Sequence, residues 1–211
     1  MENVLNILFC LTLLYLGTTT RIMAYLNVFV TQGILLFVIL ILPLFNKFSA
    51  YTFILPVMIL AVKAVLIPIF IKRKIMLELE VRKSIESDFQ QFNFLLLCVF
   101  TMITVFVSAN MLAKYTLIDS IPFAAAFSTI IIGLYIIIFR KKLIVHVIGF
   151  LVMENGIFLL GVSIASEMPF LIELISLLDI FVAVFLMGIA INKISSTFAV
   201  DDITGLDELK D

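Results

Sequence analysis

The stretch LIVHVIGFLVMENGIFLLGVSI, Leu143–Ile164, decides how the whole chain is read. It is as long as the roughly 20 apolar residues a helix needs to cross the hydrocarbon core of a bilayer, so it reads as a membrane span. Yet Glu154 and Asn155 stand near its middle, where a charge or an amide is costly. The rest of the chain repeats the apolar pattern. Hydrophobic residues make up 64% of it, charged residues 14%, and the mean hydropathy is +1.27, far outside the soluble range. The expected fold class is therefore all-α, a polytopic membrane helix bundle with too little polar sequence for a separate soluble domain.

Working outward from this stretch, charges, prolines and small polar clusters divide the chain into about seven spans of crossing length. They fall at residues 3–18, 24–45, 50–71, 92–113, 121–139, 143–165 and 169–191, with Pro122 leaving the entry of the fifth loosely defined. The opening residues MENVLNILFCLTLLYL lack the basic region and cleavage site of a signal peptide, so they are expected to form a retained first helix. The positive-inside rule tests the count. With the N-terminus outside, Arg21, Lys72, Arg73, Lys74, Arg82, Lys83, Arg140, Lys141, Lys142, Lys193 and Lys210 fall on the cytoplasmic side, and Lys47 and Lys114 outside. With Lys63 inside a span, these account for all 14 basic residues, an eleven-to-two split that predicts seven helices with the C-terminus in the cytoplasm.

Organisation follows from the same pattern. Residues 1–115 form an N-terminal four-helix region with a cytoplasmic loop at 72–91, residues 116–193 a three-helix region, and 194–211 an acidic tail. The mixed charges of the loop, with Ile75, Leu79, Ile85 and Phe89 among them, suit either a surface helix that docks a partner or a solvated connector. The tail is equally open between docking and solvation.

Five ionisable residues lie within the expected spans: Lys63, His146, Glu154, Glu173 and Asp179. A central charge costs roughly 2.5–3.5 kcal/mol on the insertion scale, and each Leu, Ile, Phe or Val returns roughly 0.3–0.6 kcal/mol, so such a helix still inserts. The charge then belongs in the bundle interior or a hydrated cavity. For a carboxyl group at that depth, desolvation and a neighbouring ammonium pull the proton equilibrium in opposite senses, which makes it switchable. A proton relay needs that property; a static ion pair between Lys63 and a carboxylate is the alternative. Three acids for one central lysine leave a surplus that favours the relay.

Spacing adds detail. Glu173, Ser176 and Asp179 form a ladder rising about 9 Å along their helix, and His146 lies about 12 Å nearer the cytoplasm than Glu154. His146 could pass protons toward Glu154, or anchor the helix end by bonding a carbonyl. Pro56 and Pro68 flank Lys63 and could open a wet pocket around it. Gly149, Gly156, Gly161 and Gly188 are expected to allow close helix approach. Cys10 and Cys98 sit far apart in apolar runs with a single His in the chain, which supports no metal or iron–sulfur site and no cofactor.

The runs VIGFLVMENGIFLLGVSI and MPFLIELISLLDIFVAVFLMGIAI, followed by the acidic DDITGLDELKD, resemble component E of hydrogenase-4, a membrane subunit of formate-hydrogenlyase-type group 4 [NiFe]-hydrogenases. The last three helices, from about Ile121, are similar to subunit K of respiratory complex I and to its small counterpart in Mrp-type cation/proton antiporters. The GFLVMENGIFLLG and PFLIELISLLD segments carry the likeness, and the N-terminal half matches mainly in layout. The resemblance implies a mid-membrane Glu in each of two consecutive helices. Glu154, followed by Asn155, takes the first place; Asp179 by distance to the chain end, or Glu173 by residue type, takes the second. Lys63 has no subunit K counterpart.

The resemblance further implies a subunit of a redox-driven proton or sodium pump in a prokaryotic cytoplasmic (inner) membrane. Its expected partners are antiporter-like subunits, a [NiFe]-hydrogenase arm and the lipid bilayer, with no nucleic acid. This chain would have no catalytic centre of its own. A stand-alone secondary transporter or channel would use the same charges, but no inverted repeat or pair of broken segments marks a substrate site. A purely structural subunit, whose charges only register helices, is the third reading.

Overall fold

In a lipid interior no water is at hand for backbone N–H and C=O groups, so a chain this apolar satisfies them within helices. The computed structural model describes residues 2–44, 57, 60–69, 71–72, 90–116 and 119–164. They lie within Met1–Ser176, the larger of the two units into which the chain divides. Five α-helices and one π-helical turn carry them: α1 (Glu2–Thr18), α2 (Ile22–Leu44), the π turn Ala61–Leu66, α3 (Gln91–Leu112), α4 (Ser120–Phe139) and α5 (Leu143–Ile164). The seventh expected span with Glu173, Asp179 and Gly188, Pro56, most of the loop at 72–91 and the acidic tail lie outside the described residues.

Among the described residues, four helices are long and apolar enough to cross a membrane, and α1 is a shorter apolar helix. The protein is thus a helical, multi-pass membrane protein. The bounds of these five helices match the first, second, fourth, fifth and sixth expected spans to within a few residues, and the difference at the fifth has a clear cause. α4 begins at Ser120, after Asp119 as N-cap, which places Pro122 in the first helical turn. There a missing backbone N–H removes no intrahelical bond, so the proline opens the helix instead of loosening it.

The helices pack as a ring in the order α1, α2, α5, α4, with α3 outside against α1 and α4 and the π turn against α2. Burial follows this placement: half of the apolar window of α2 and of α5 is buried, but only 17% of that of α3. Phe92, Leu96, Phe100, Ile103 and Val107 make the exposed apolar stripe of α3, the side-chain chemistry that lipid tails accept. Within the ring, Phe9, Leu36, Leu40, Ala125, Ala126 and Phe158 close one core cluster.

The α4–α5 seam is the tightest. A Cβ built on Gly133 would stand 2.7 Å from the Met153 backbone N and 2.9 Å from the Gly149 carbonyl oxygen; one on Gly156 would stand 2.8 Å from the Ile130 N. The two backbones touch there because a glycine at each point leaves room for the facing backbone, as expected for Gly149 and Gly156. This seam holds the helix of Glu154 against its neighbour.

One end of the ring gathers the polar turns. The Arg140 guanidinium, at the C-cap of α4, lies 4.5 Å from the Phe94 ring centroid and 5.8 Å from that of Tyr25. This places the start of α2, the start of α3 and the end of α4 together. Tyr25 Oη donates to the Leu16 carbonyl at 3.2 Å, which ties in the end of α1. Arg21, Arg140, Lys141 and Lys142 thus belong to a single basic end.

Candidate functional site

Lys63 and Glu154, two of the residues that the sequence marks as out of place, lie at mid-depth of the ring together with Asn155 and Gln32. Asn155 and Glu154 lie about 18 Å along α5 from its start, and Gln32 about 15 Å along α2. Lys63 reaches the same depth from the π turn. All four are buried, with Lys63, Gln32 and Asn155 fully shielded and Glu154 1% exposed. A π turn adds one residue to a helical turn and so rotates the side chains that follow it, a distortion common at functional sites. Here it falls in the segment that carries Lys63, and α2 presents Gly33 to it, leaving the backbone of Lys63 and Ala64 close at hand.

Lys63 Nζ donates to Asn155 Oδ1 at 2.9 Å. The ammonium also stands over the Phe158 ring, 5.2 Å from its centroid, one helical turn further along α5. Asn155 Nδ2 donates to Gln32 Oε1 at 3.3 Å, and Gln32 Nε2 donates to Thr12 Oγ1 at 2.9 Å. Thr12 Oγ1 in turn donates to the Phe9 carbonyl at 2.6 Å. Four hydrogen bonds therefore run across the bundle from the π turn through α5 and α2 to α1.

Of the expected site residues, the structure brings Lys63 onto the residue that follows Glu154. Glu154 itself projects about 100° around α5 from Asn155, buried at the same depth. Asn155 offers Lys63 an amide acceptor on α5, a neutral polar group at the level of Glu154. His146 is elsewhere. Its Nε2 hydrogen-bonds the Arg140 carbonyl at the basic end, the arrangement of an interfacial anchor. Glu173 and Asp179 lie outside the described residues.

Gln32 and Thr12 are the members that sequence reasoning missed. The available signal was Gln32 itself, an uncharged amide midway through AYLNVFVTQGILLFVIL, where a polar side chain in a span must find a partner. A search limited to ionisable residues passes over it.

A second buried polar group sits at the basic end. Arg140 is 2% exposed and its Nε, Nη1 and Nη2 find no hydrogen-bond acceptor among the described residues, so the rings of Phe94 and Tyr25 are its visible surroundings. Stacking on two aromatic faces suits the weakly hydrated guanidinium better than it would an ammonium. Among the described residues, no group of three or more His, Cys, Asp or Glu is placed to hold a metal ion.

Comparison with known proteins adds one relative. The chain is 24% identical over 156 residues to the uncharacterized protein Rv0085 of Mycobacterium tuberculosis, an alignment spanning 72% of this chain and 70% of that one. No protein-family profile matches the chain, and no solved structure does.

Proposed function

We propose that this chain is a membrane-arm subunit of a group 4 [NiFe]-hydrogenase of the formate-hydrogenlyase or hydrogenase-4 kind. In this reading it contributes buried carboxylates to a proton or sodium path coupled to redox chemistry in other subunits. The observation that carries the proposal is the meeting of Lys63 with α5 at Asn155, directly beside Glu154, at mid-depth of an apolar bundle. A lysine and a carboxyl group held at that depth are costly to insert, and ion pathways are where such groups are retained. The resemblance of the Glu154 segment and of PFLIELISLLD to hydrogenase-4 component E supplies the redox context. The acids at Glu173 and Asp179 would extend the path, and the membrane would be the prokaryotic cytoplasmic one, with the N-terminus outside.

The test is recovery of the native assembly. The chain is tagged, membranes are solubilised in mild detergent, and the co-purifying proteins and metals are identified by mass spectrometry and elemental analysis. Antiporter-like subunits together with a soluble arm containing nickel and iron are the expected companions. Recovery of the chain alone, or as a homo-oligomer, overturns the proposal in favour of a stand-alone transporter or channel.

A further inference from the structure

The hydrogen-bond chain from Lys63 to Phe9 has only one possible sense. At one end an ammonium can only give protons, and at the other a backbone carbonyl can only accept them. Thr12 gives its single hydroxyl proton to the Phe9 carbonyl, so it can meet Gln32 only as an acceptor. Gln32 must then turn Nε2 to Thr12 and Oε1 to Asn155. Asn155 must answer with Nδ2, which leaves its Oδ1 for Lys63. The two ends dictate the same orientation of both amides, and each amide carbonyl turns its negative end toward the Lys63 side.

Such a chain does not carry protons, because a side-chain amide neither takes up nor releases one at ordinary pH. What passes along it is orientation, and hydrogen bonds polarised in one direction strengthen one another in a buried setting. We infer that Thr12 and Gln32 are positioning residues for Lys63. Through Asn155, α1 and α2 fix where the ammonium stands beside Glu154, although neither helix brings a charge to this depth. If each contact served only its own pair of helices, Thr12 would matter to Gln32 and not to Lys63. The inference concerns the chain's own geometry and stands apart from the hydrogenase reading, so its test reads stability and spectra, not transport.

The full-length protein in mild detergent is melted as wild type, Lys63→Met, Thr12→Val and the double variant. Because each end alone still dictates both amides, the first removal leaves them oriented and only the second releases them, so the shift in Tm of the double variant clearly exceeds the sum of the single shifts. In a Gln32→Leu background the chain is cut and the same two changes become additive. Thr12→Ser, which keeps a hydroxyl able to donate and accept, melts like the wild type. Additive shifts with Gln32 present, or a Thr12→Ser protein that melts like Thr12→Val, overturn the inference. Should Thr12→Val fail to fold, the side-chain amide resonances of Gln32 in 15N-glutamine-labelled protein decide. They move on Lys63→Met if polarisation is transmitted through Asn155, and unchanged resonances exclude it.

Discussion

Glu154 and Asn155 are neighbours in sequence with different work to do. Glu154 is the buried carboxyl group to which the proposed function gives the moving proton, and Glu154→Gln keeps its shape and removes its acid. Under the proposed function, the variant complex assembles and retains its redox activity while coupled ion transport drops severalfold, as read by ion uptake into inverted vesicles; unchanged transport would take Glu154 out of the path. Asn155 instead supplies the acceptor for Lys63 and the donor for Gln32. Asn155→Leu removes both at once, and stranding a buried polar partner costs roughly 1–3 kcal/mol. A clearly lowered Tm in detergent is expected, and a Tm at the wild-type value would show that these two bonds contribute nothing net. At this scale the sequence was legible where it carried charge. Glu154 and Lys63 stand out against their apolar surroundings, but nothing local says that Asn155 would accept from the Lys63 ammonium, or that Gln32 lies on the same level. Their meeting is set by the rotation of two separate helices about their axes.

The helices themselves were the most legible feature, because their apolar runs match the thickness of a bilayer and their ends carry the charges. The π turn was not. Pro56 and Pro68 signalled a disturbed helix around Lys63, but the form of the disturbance, one extra residue in a turn that lies against α2, is not written in the residue types. The glycines were legible in kind but not in degree. Replacing a mid-helix Gly by Ala gains about 1 kcal/mol of intrinsic helix propensity, so the sign of the net effect depends on the room available. At Gly133 the new methyl would meet backbone atoms of Met153 and Gly149 at 2.7 and 2.9 Å. Backbone cannot swing aside, so α4 and α5 must separate, and overpacking of this kind typically costs about 1–3 kcal/mol. At Gly33 the nearest atom, Lys63 Cβ, is at 3.4 Å, an ordinary contact. The same substitution is therefore expected to lower the Tm at Gly133 and to leave it level or raise it at Gly33; equal effects at the two sites would contradict the close α4–α5 seam.

For the whole molecule, the distribution of basic residues and the packing of the ring make one joint prediction. Arg21, Arg140, Lys141 and Lys142 belong to the end where Tyr25, Phe94 and Arg140 meet, whereas Lys114 and Tyr115 follow α3 at its far end, a helix length away. A helix of 22 residues such as α3 is about 33 Å long, enough to put its two ends in different aqueous phases. Positive charge is retained in the cytoplasm, so the basic end is expected to face it. The test uses a background of Cys10→Ala and Cys98→Ala, which removes the two native thiols, with a new cysteine in each of two positions. Lys141→Cys is expected to react with a membrane-impermeant maleimide only in inverted vesicles, and Tyr115→Cys only in intact cells. Both positions are exposed in the bundle, so lack of access on either side would come from the membrane and not from packing. Labelling of both from one side would mean that α3 does not cross, and would overturn the seven-span count; the reverse pattern would keep the fold and invert it, which would move His146 and the entry to α5 to the outer face and require any path through Glu154 to be drawn from there.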